Sequence, residues 1–258
     1  MTLRRFSPVL LPLAGFLLVS MPVVSWTDTL TVAVAANFQA AMQEVAALYE
    51  RSTPHAVVPV FGSSGALYAQ IKSGAPFDVF LSADEERPRR CIADGLSIDS
   101  APVTYAFGTL ALWAPHAPGE TAPLSVLDEN KTVAVAEPTV APYGAAAVEA
   151  LDAMGRGDIR TGKAVFGRDV GQTYQFVASG NACAGFVSYA QVLQTPASKR
   201  GWCWIVPDSL YRPIRQCGVV LKRCRKPETA RKFMVMLTGK DAQKHIGQAG
   251  YGTAVEKP

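Results

Sequence analysis

The sequence predicts an α/β protein of two lobes, each a mainly parallel sheet flanked by helices, with a ligand taken up in the cleft between them. Three observations predict this. Short apolar runs alternate with helical patterns along the chain, the order that builds a parallel sheet covered on both faces. The alternation comes as two series, one ending near Gly95 and one beginning at Thr132. Between them, Val103 to Trp113 is a long apolar stretch that reads as a strand running out of one sheet.

In the first series, Leu30, Val32 and Val34 alternate with small or polar residues, as a strand requires. Asn37, a preferred helix N-cap, precedes Phe38, Met42, Val45, Leu48 and Tyr49, which share one helix face. Ala56 to Phe61 predicts a second strand, Gly62-Ser63-Ser64-Gly65 a turn, and Ala66 to Ser73 a short helix stopped by Gly74. Phe77 to Leu81 predicts a third strand, and Asp84 to about Asp94 a polar helix stopped by Gly95.

The second series opens with a strand from Thr132 to Ala136, halted by Glu137-Pro138. Pro142-Tyr143-Gly144 then starts a helix that ends near Met154-Gly155. Lys163 to Phe166 reads as a strand, Asp169-Val170-Gly171 as a turn and Gln172 to Ala178 as a helix. Ala184 to Val187 is another strand, with a short helix from Ser188 to Leu193. Trp202 and Trp204 read as strand residues, and Ala230, Phe233, Met234 and Leu237 mark an amphipathic helix. Asp241 to His245 makes one more.

Composition narrows the function classes. Of 258 residues, 49% are hydrophobic and 18% charged, against about a quarter charged in an average soluble domain. Such a chain buries a core, and disorder is excluded. Arg4 and Arg5 precede an apolar run from Val9 to Val19, and the small residues Val23 and Ser25 follow at signal-peptidase spacing. The run is shorter than the roughly 20 residues of a spanning helix. Residues 1–25 therefore predict a cleavable signal peptide and a soluble periplasmic protein. No cysteine stands near the cleavage point to carry a lipid.

Loss of Arg4 and Arg5 takes the formal net charge from +4 to +2, which is no footprint for nucleic acid. The run Lys222-Arg223-Cys224-Arg225-Lys226 reads as a solvated segment before a helix. Cys91, Cys183, Cys203, Cys217 and Cys224 form no CxxC, and His55, His116 and His245 are isolated. No metal ligand set is expected. In an oxidising compartment, one or two disulfides are expected, with at least one thiol left over.

Four turns, Ala36-Asn37, Ser63-Ser64, Pro142-Tyr143 and Asp169-Val170, lie between an apparent strand and a helix start. Open α/β sheets place their ligands at such positions. A helix N-terminus leaves backbone N–H groups unpaired and carries about +0.5 of a charge, which suits an anion. Asn37, Ser63, Ser64 and Tyr143 add neutral donors there. Periodicity alone leaves open whether the four turns converge.

These residues carry a resemblance. Val34-Ala35-Ala36-Asn37-Phe38, Phe61-Gly62-Ser63-Ser64-Gly65-Ala66-Leu67 and Gly74-Ala75-Pro76-Phe77-Asp78-Val79-Phe80-Leu81-Ser82-Ala83-Asp84 resemble signatures of periplasmic molybdate-binding proteins. So do Glu137-Pro138-Thr139-Val140-Ala141-Pro142-Tyr143-Gly144, Tyr174-Gln175-Phe176-Val177-Ala178-Ser179-Gly180-Asn181-Ala182 and Ser209-Leu210-Tyr211-Arg212-Pro213-Ile214-Arg215-Gln216. The resemblance spans essentially the whole chain after residue 25.

It implies a type II periplasmic binding protein, a monomer without cofactor, that binds molybdate or tungstate and hands it to the membrane permease of an ABC transporter. Carried over by motif, the ligand-binding residues are Asn37, Ser64, Tyr143 and Val170, with Ala36, Ser63, Ser188 and Tyr189 as weaker candidates. Some relatives use a tyrosine hydroxyl where this chain has Ser188 followed by Tyr189, and Tyr143 is expected to supply that hydroxyl instead. Such receptors cross between lobes twice. The expected division is residues 26–107 with 217–258 in lobe 1 and residues 108–216 in lobe 2.

Uncharged donors without acceptors favour a fully ionised anion, because the O–H of a protonated one is left unpaired. Sulfate, also fully ionised and tetrahedral, is then the alternative ligand, separated from molybdate only by size. A serine hydrolase is the competing enzyme, but Gly62-Ser63-Ser64-Gly65 lacks the G-x-S-x-G elbow and no histidine has an evident orienting acid. The expectation is a binding protein and not an enzyme. Tyr143, Tyr174 and Tyr189 stand apart from one another, unlike the paired tyrosines of ferric-ion receptors.

Overall fold

A computed structural model describes residues 28–119, 121–127 and 131–253. Residues 1–25, read as a signal peptide, lie outside them. In chain order, β1 (Asp28–Ala35) leads through a 3-10 turn (Ala36–Phe38) into α1 (Gln39–Ser52). Then follow β2 (His55–Gly62), α2 (Ser64–Lys72), β3 (Val79–Ser82), α3 (Glu86–Ala93) and β4 (Val103–Gly108). The second series holds β5 (Leu110–Ala114), α4 (Pro123–Val126), β6 (Val133–Ala136), α5 (Pro142–Ala153) and α6 (Ile159–Gly162). It continues with β7 (Ala164–Gly167), α7 (Val170–Ala178), β8 (Ala184–Ser188), α8 (Tyr189–Gln194), α9 (Ala197–Arg200) and β9 (Trp202–Ile205). A 3-10 turn (Asp208–Leu210) precedes β10 (Ile214–Val220), α10 (Pro227–Leu237), α11 (Lys240–Gln248) and β11 (Gly252–Thr253).

The strands form two sheets, ordered β11-β4-β10-β3-β1-β2 and β7-β6-β8-β5-β9. Both are mixed. β1 lies parallel between β2 and β3, while β10 runs antiparallel to β3 and β4. β6 lies parallel between β7 and β8, while β5 runs antiparallel to β8 and β9. Apart from the short C-terminal β11, which pairs antiparallel with β4, the antiparallel pairs involve strands that enter or leave a sheet at the crossings. In the parallel centre, Leu30, Val32, Ala33 and Val34 are all fully buried, as expected for a strand covered on both faces.

The stretch Val103 to Trp113, expected as one strand, is two strands in different sheets, broken at Thr109. The chain returns between β9 and β10, and the two crossings lie side by side. Ile214 pairs with Gly108, Val206 N–H donates to Leu110 O at 3.0 Å, and Leu110 N–H donates to the Tyr211 hydroxyl at 3.2 Å. β10 was hidden from periodicity: its apolar residues are interrupted by Arg215, Gln216 and Gly218.

The five cysteines are free thiols, which corrects the expectation of disulfides. The reason is placement. Cys91 on α3 and Cys217 on β10 sit in different surroundings of the first lobe, Cys217 against the Thr104 hydroxyl at 3.5 Å. Cys203 on β9 pairs with Trp113, which puts β5 between it and β8, the strand that Cys183 precedes. Burial pushes the Cys91 thiol up to about 12 and the Cys203 thiol to about 11.

Each sheet carries its own cores. Leu30, Val32, Val79, Leu81, Phe233 and Leu237 pack together on the first, and Leu112, Val133, Val135, Leu151, Ile159 and Phe186 on the second. Leu112 lies between Phe186 and Trp204 on its two neighbours and is wholly buried. Replacing it by alanine is expected to remove about 2–5 kcal/mol, the usual cost of a Leu-to-Ala cavity. Trp113, Trp202 and Trp204 all lie on the second sheet, so denaturation followed by tryptophan fluorescence should show the midpoint fall. Hydrogen exchange in β1 should stay slow.

Candidate functional site

Four strand ends set the site. β1, β2, β6 and β7 each deliver the chain to a helix start, and all four starts border one small cavity. The first lobe contributes Ala36 and Asn37 from the 3-10 turn, Ser63 and Ser64 from the start of α2, and Ala83 after β3. The second contributes Pro142 and Tyr143 from α5 and Asp169 and Val170 from α7. A wider groove of about 790 Å³, open to solvent, continues between α1 and α7, but only two of the four helix starts reach it.

The backbone donors at these starts can be followed one by one. At α2, Ser63 caps by accepting from Ala66 N–H at 3.3 Å, and Gly65 N–H donates across the cleft to Val140 O at 2.9 Å. That leaves Ser64 N–H for the cavity. The Ser64 hydroxyl accepts from Ala83 N–H at 2.9 Å, so its own proton is available to a ligand. At α7, the Asp169 carboxylate accepts from Gln172 N–H at 2.8 Å, leaving Val170 and Gly171. At α5, proline fills the first helical position and Tyr143 supplies the next N–H.

Among the described residues, no Lys, Arg or His lines the cavity. Asp169 is the ionisable carboxylate beside it, engaged in its helix cap and 3.8 Å from Arg168 Nε. Asn37, Ser63, Ser64, Tyr143 and Val170 are each no more than 6% exposed. Apart from Asp169, the site is a buried shell of dipoles whose helix ends are positive.

Behind the cavity lies a buried polar floor. Asn37 Nδ2 donates to Gln216 Oε1 at 3.0 Å and to the Tyr251 hydroxyl at 3.4 Å. Tyr251 in turn donates to Asn37 O at 2.6 Å. The Tyr105 hydroxyl lies 3.0 Å from Ser82 O and 3.1 Å from Gln216 Oε1. Ser188 Oγ donates to the Tyr143 hydroxyl at 3.1 Å. Burial pushes the phenols of Tyr105, Tyr143 and Tyr251 well above their ordinary range, so the floor is uncharged at neutral pH.

The structure therefore brings Ala36, Asn37, Ser63, Ser64, Tyr143 and Val170 to one cavity. Asn37 is not a helix cap. It sits inside the 3-10 turn, which has no side-chain cap, and its amide protons serve Gln216 and Tyr251. Ala36 and Asn37 of that turn line the cavity. Ser188 stands behind Tyr143, and Tyr189 is elsewhere, against Gly250 and the cluster around Trp113. Sequence reading missed Tyr105, Gln216 and Tyr251. The available signal was Gln216, an amide inside an otherwise apolar strand.

Across the cleft, Arg87 Nη2 donates to Thr139 O at 2.9 Å, beside the Gly65–Val140 bond. A Cβ on Gly65 would lie 2.9 Å from both Cα and Cβ of Val140. Both contacts join the two lobes.

The family model for bacterial extracellular solute-binding proteins matches residues 30–252. The chain is 40% identical over 222 residues to the molybdate-binding protein ModA of Rhodobacter capsulatus, covering 86% of this chain and 87% of the relative. It is 40% identical over 223 residues to ModA of Azotobacter vinelandii, covering 86% and 88%. The solved periplasmic molybdate-binding protein of Azotobacter vinelandii superposes with a TM-score of 0.81 at 36% identity, covering 86% of this chain and 98% of that one. The sulfate-binding protein SubI of Mycobacterium tuberculosis, at TM-score 0.71 and 14% identity over 88% and 87%, shares the fold.

Because the buried phenols hold their protons in the folded state, the unfolded chain loses protons first as pH rises past the ordinary tyrosine range. Stability is then expected to fall above about pH 10. A spectrophotometric titration should show Tyr105, Tyr143 and Tyr251 ionising only as the protein unfolds.

Proposed function

The chain belongs to the bacterial extracellular solute-binding proteins, within their periplasmic molybdate-binding branch, and from that premise we propose that it is a periplasmic receptor for molybdate and tungstate that delivers the anion to an ABC-transporter permease. One observation carries this reading: four helix starts border a single small cavity, lined among the described residues by neutral donors and the helix-capping Asp169, and by no cationic side chain.

In this reading a tetrahedral dianion sits among the Ser64 hydroxyl and N–H, the backbone N–H groups of Ala36, Asn37 and Val170, and Tyr143. Tyr143 gives its N–H and its hydroxyl. Ser63 completes the rim as a cap, Ser188 acts on Tyr143, and Tyr189 takes no part. The four helix ends supply positive potential without a counter-ion. In such a shell the Ser64 hydroxyl already accepts from Ala83 N–H and the Asp169 carboxylate from Gln172 N–H, so the O–H of hydrogen phosphate must compete with bonds the fold has made.

Lobe 1 and lobe 2 turn about the paired crossings at Thr109 and between β9 and β10; Gly108 and residues 214–216, expected in lobe 2 (residues 108–216), go with lobe 1 (residues 26–107 and 217–258), because β4 and β10 are strands of its sheet. An anion that touches both lobes prefers the closed state, and that difference in affinity is what shifts the population. Binding and closure are the whole task, performed by a monomer with no cofactor and no bond made or broken. Sulfate is the second reading, favoured by the shared fold of a sulfate-binding protein and separated by cavity size.

A thermal-shift series with molybdate, tungstate, sulfate, phosphate and ferric ion tests the ligand. Molybdate and tungstate are expected to stabilise the protein, by about 2.7 kcal/mol at a hundred times the dissociation constant. Equal stabilisation by sulfate or phosphate overturns the specificity. In calorimetry, Ser64→Ala is expected to weaken molybdate binding by about 1–3 kcal/mol, the value of a hydrogen bond to a charged group. An unchanged affinity removes Ser64 from the site.

A further inference from the structure

Gln216 is wholly buried and only half employed. Its Oε1 receives Asn37 and lies against Tyr105, while its Nε2 has no hydrogen-bond partner among the described residues. Buried orphan donors are rare in native proteins and call for an explanation. The residue is also deliberately aimed. The pairing of β10 with β4 slips between Gln216 and Cys217, and such irregularities commonly redirect a side chain beside a functional site.

Gly108, at the outgoing crossing, shows where the orphan points. A Cβ built there would lie 3.0 Å from Gln216 Nε2 and would collide with the Tyr143 hydroxyl. The two polar groups thus converge on the bare face of one glycine, one from the first lobe's β10 and one from the second lobe's α5.

We propose that Gln216 is a positioning residue for the bound anion, donating from Nε2 to the Tyr143 phenolic oxygen when ligand is held and so directing the phenol's proton into the cavity. The inference rests on the oxyanion reading above. Ser188 Oγ already donates to Tyr143 Oη, and the Asn37 amide, shared with Gln216 and Tyr251, also acts on that phenol. A further donor on the same oxygen leaves its single proton no inward partner, and polarisation along the chain strengthens the bond it makes to the anion. The Gln216–Tyr143 bond also crosses the hinge, so it adds to the preference for the closed state.

A double-mutant cycle tests this, with molybdate affinity measured by calorimetry for wild type, Gln216→Met, Tyr143→Phe and the double variant. Gln216→Met is expected to weaken binding about tenfold, the scale of one hydrogen bond. In the Tyr143→Phe background it should cost nothing further, because the oxygen it acts on is gone. Independent, multiplying losses, or no loss at all, overturn the proposal.

Should Gln216→Met fail to fold, Gln216→Glu keeps the acceptor for Asn37 and Tyr105. Its affinity is expected to recover as pH falls and the carboxyl gains a proton to donate. That recovery should vanish with Tyr143→Phe, and its persistence there marks simple charge repulsion and overturns the proposal. The two levels separate cleanly: a wild-type protein that ignores molybdate sinks the receptor reading, whereas one that binds it with an additive cycle sinks only Gln216.

Discussion

An anion can be held without a cation only where several backbone N–H groups have been left unused by the fold and turned toward one point. In the proposed reading that requirement governs the architecture. A helix frees N–H groups at its start alone, so each must begin at the shared edge. A strand that ends there must deliver it, and β1, β2, β6 and β7 do so. The parallel centres of both sheets follow from this. The antiparallel strands are the cost of crossing between lobes, since β4, β5 and β10 carry the chain out and back.

The floor of the site obeys the opposite rule. Where the rim leaves donors free, the floor closes them on one another: Asn37 to Gln216 and Tyr251, Ser188 to Tyr143, Tyr251 to Asn37 O. Every group there is an amide or a hydroxyl, and burial keeps the phenols protonated. An ionised floor would repel a dianion or demand its own counter-charge. A neutral one lets the four helix ends set the potential.

Much of this was legible in the chain before the coordinates. Local patterns revealed the strand-to-helix alternation, because alternation at Leu30, Val32 and Val34 and the stripe from Phe38 to Tyr49 are properties of neighbouring residues. The four turns were visible for the same reason. What stayed hidden was non-local. The break at Thr109 is a tertiary event inside an apolar run, and β10 is a strand only because β3 and β4 flank it. Asn37 looked like a cap because caps are the commonest use of such a residue. Its partners stand 179 and 214 positions away, at Gln216 and Tyr251.

The contact of Gly65 with Val140 has a bearing on how the two halves meet. A lone hydrogen on the α-carbon lets the opposing backbones approach until Gly65 N–H reaches Val140 O. Any side chain at that point becomes a wedge at the lip of the jaws. A single methyl group there would yield a receptor that folds normally yet stays ajar, a permanent likeness of its own unloaded form.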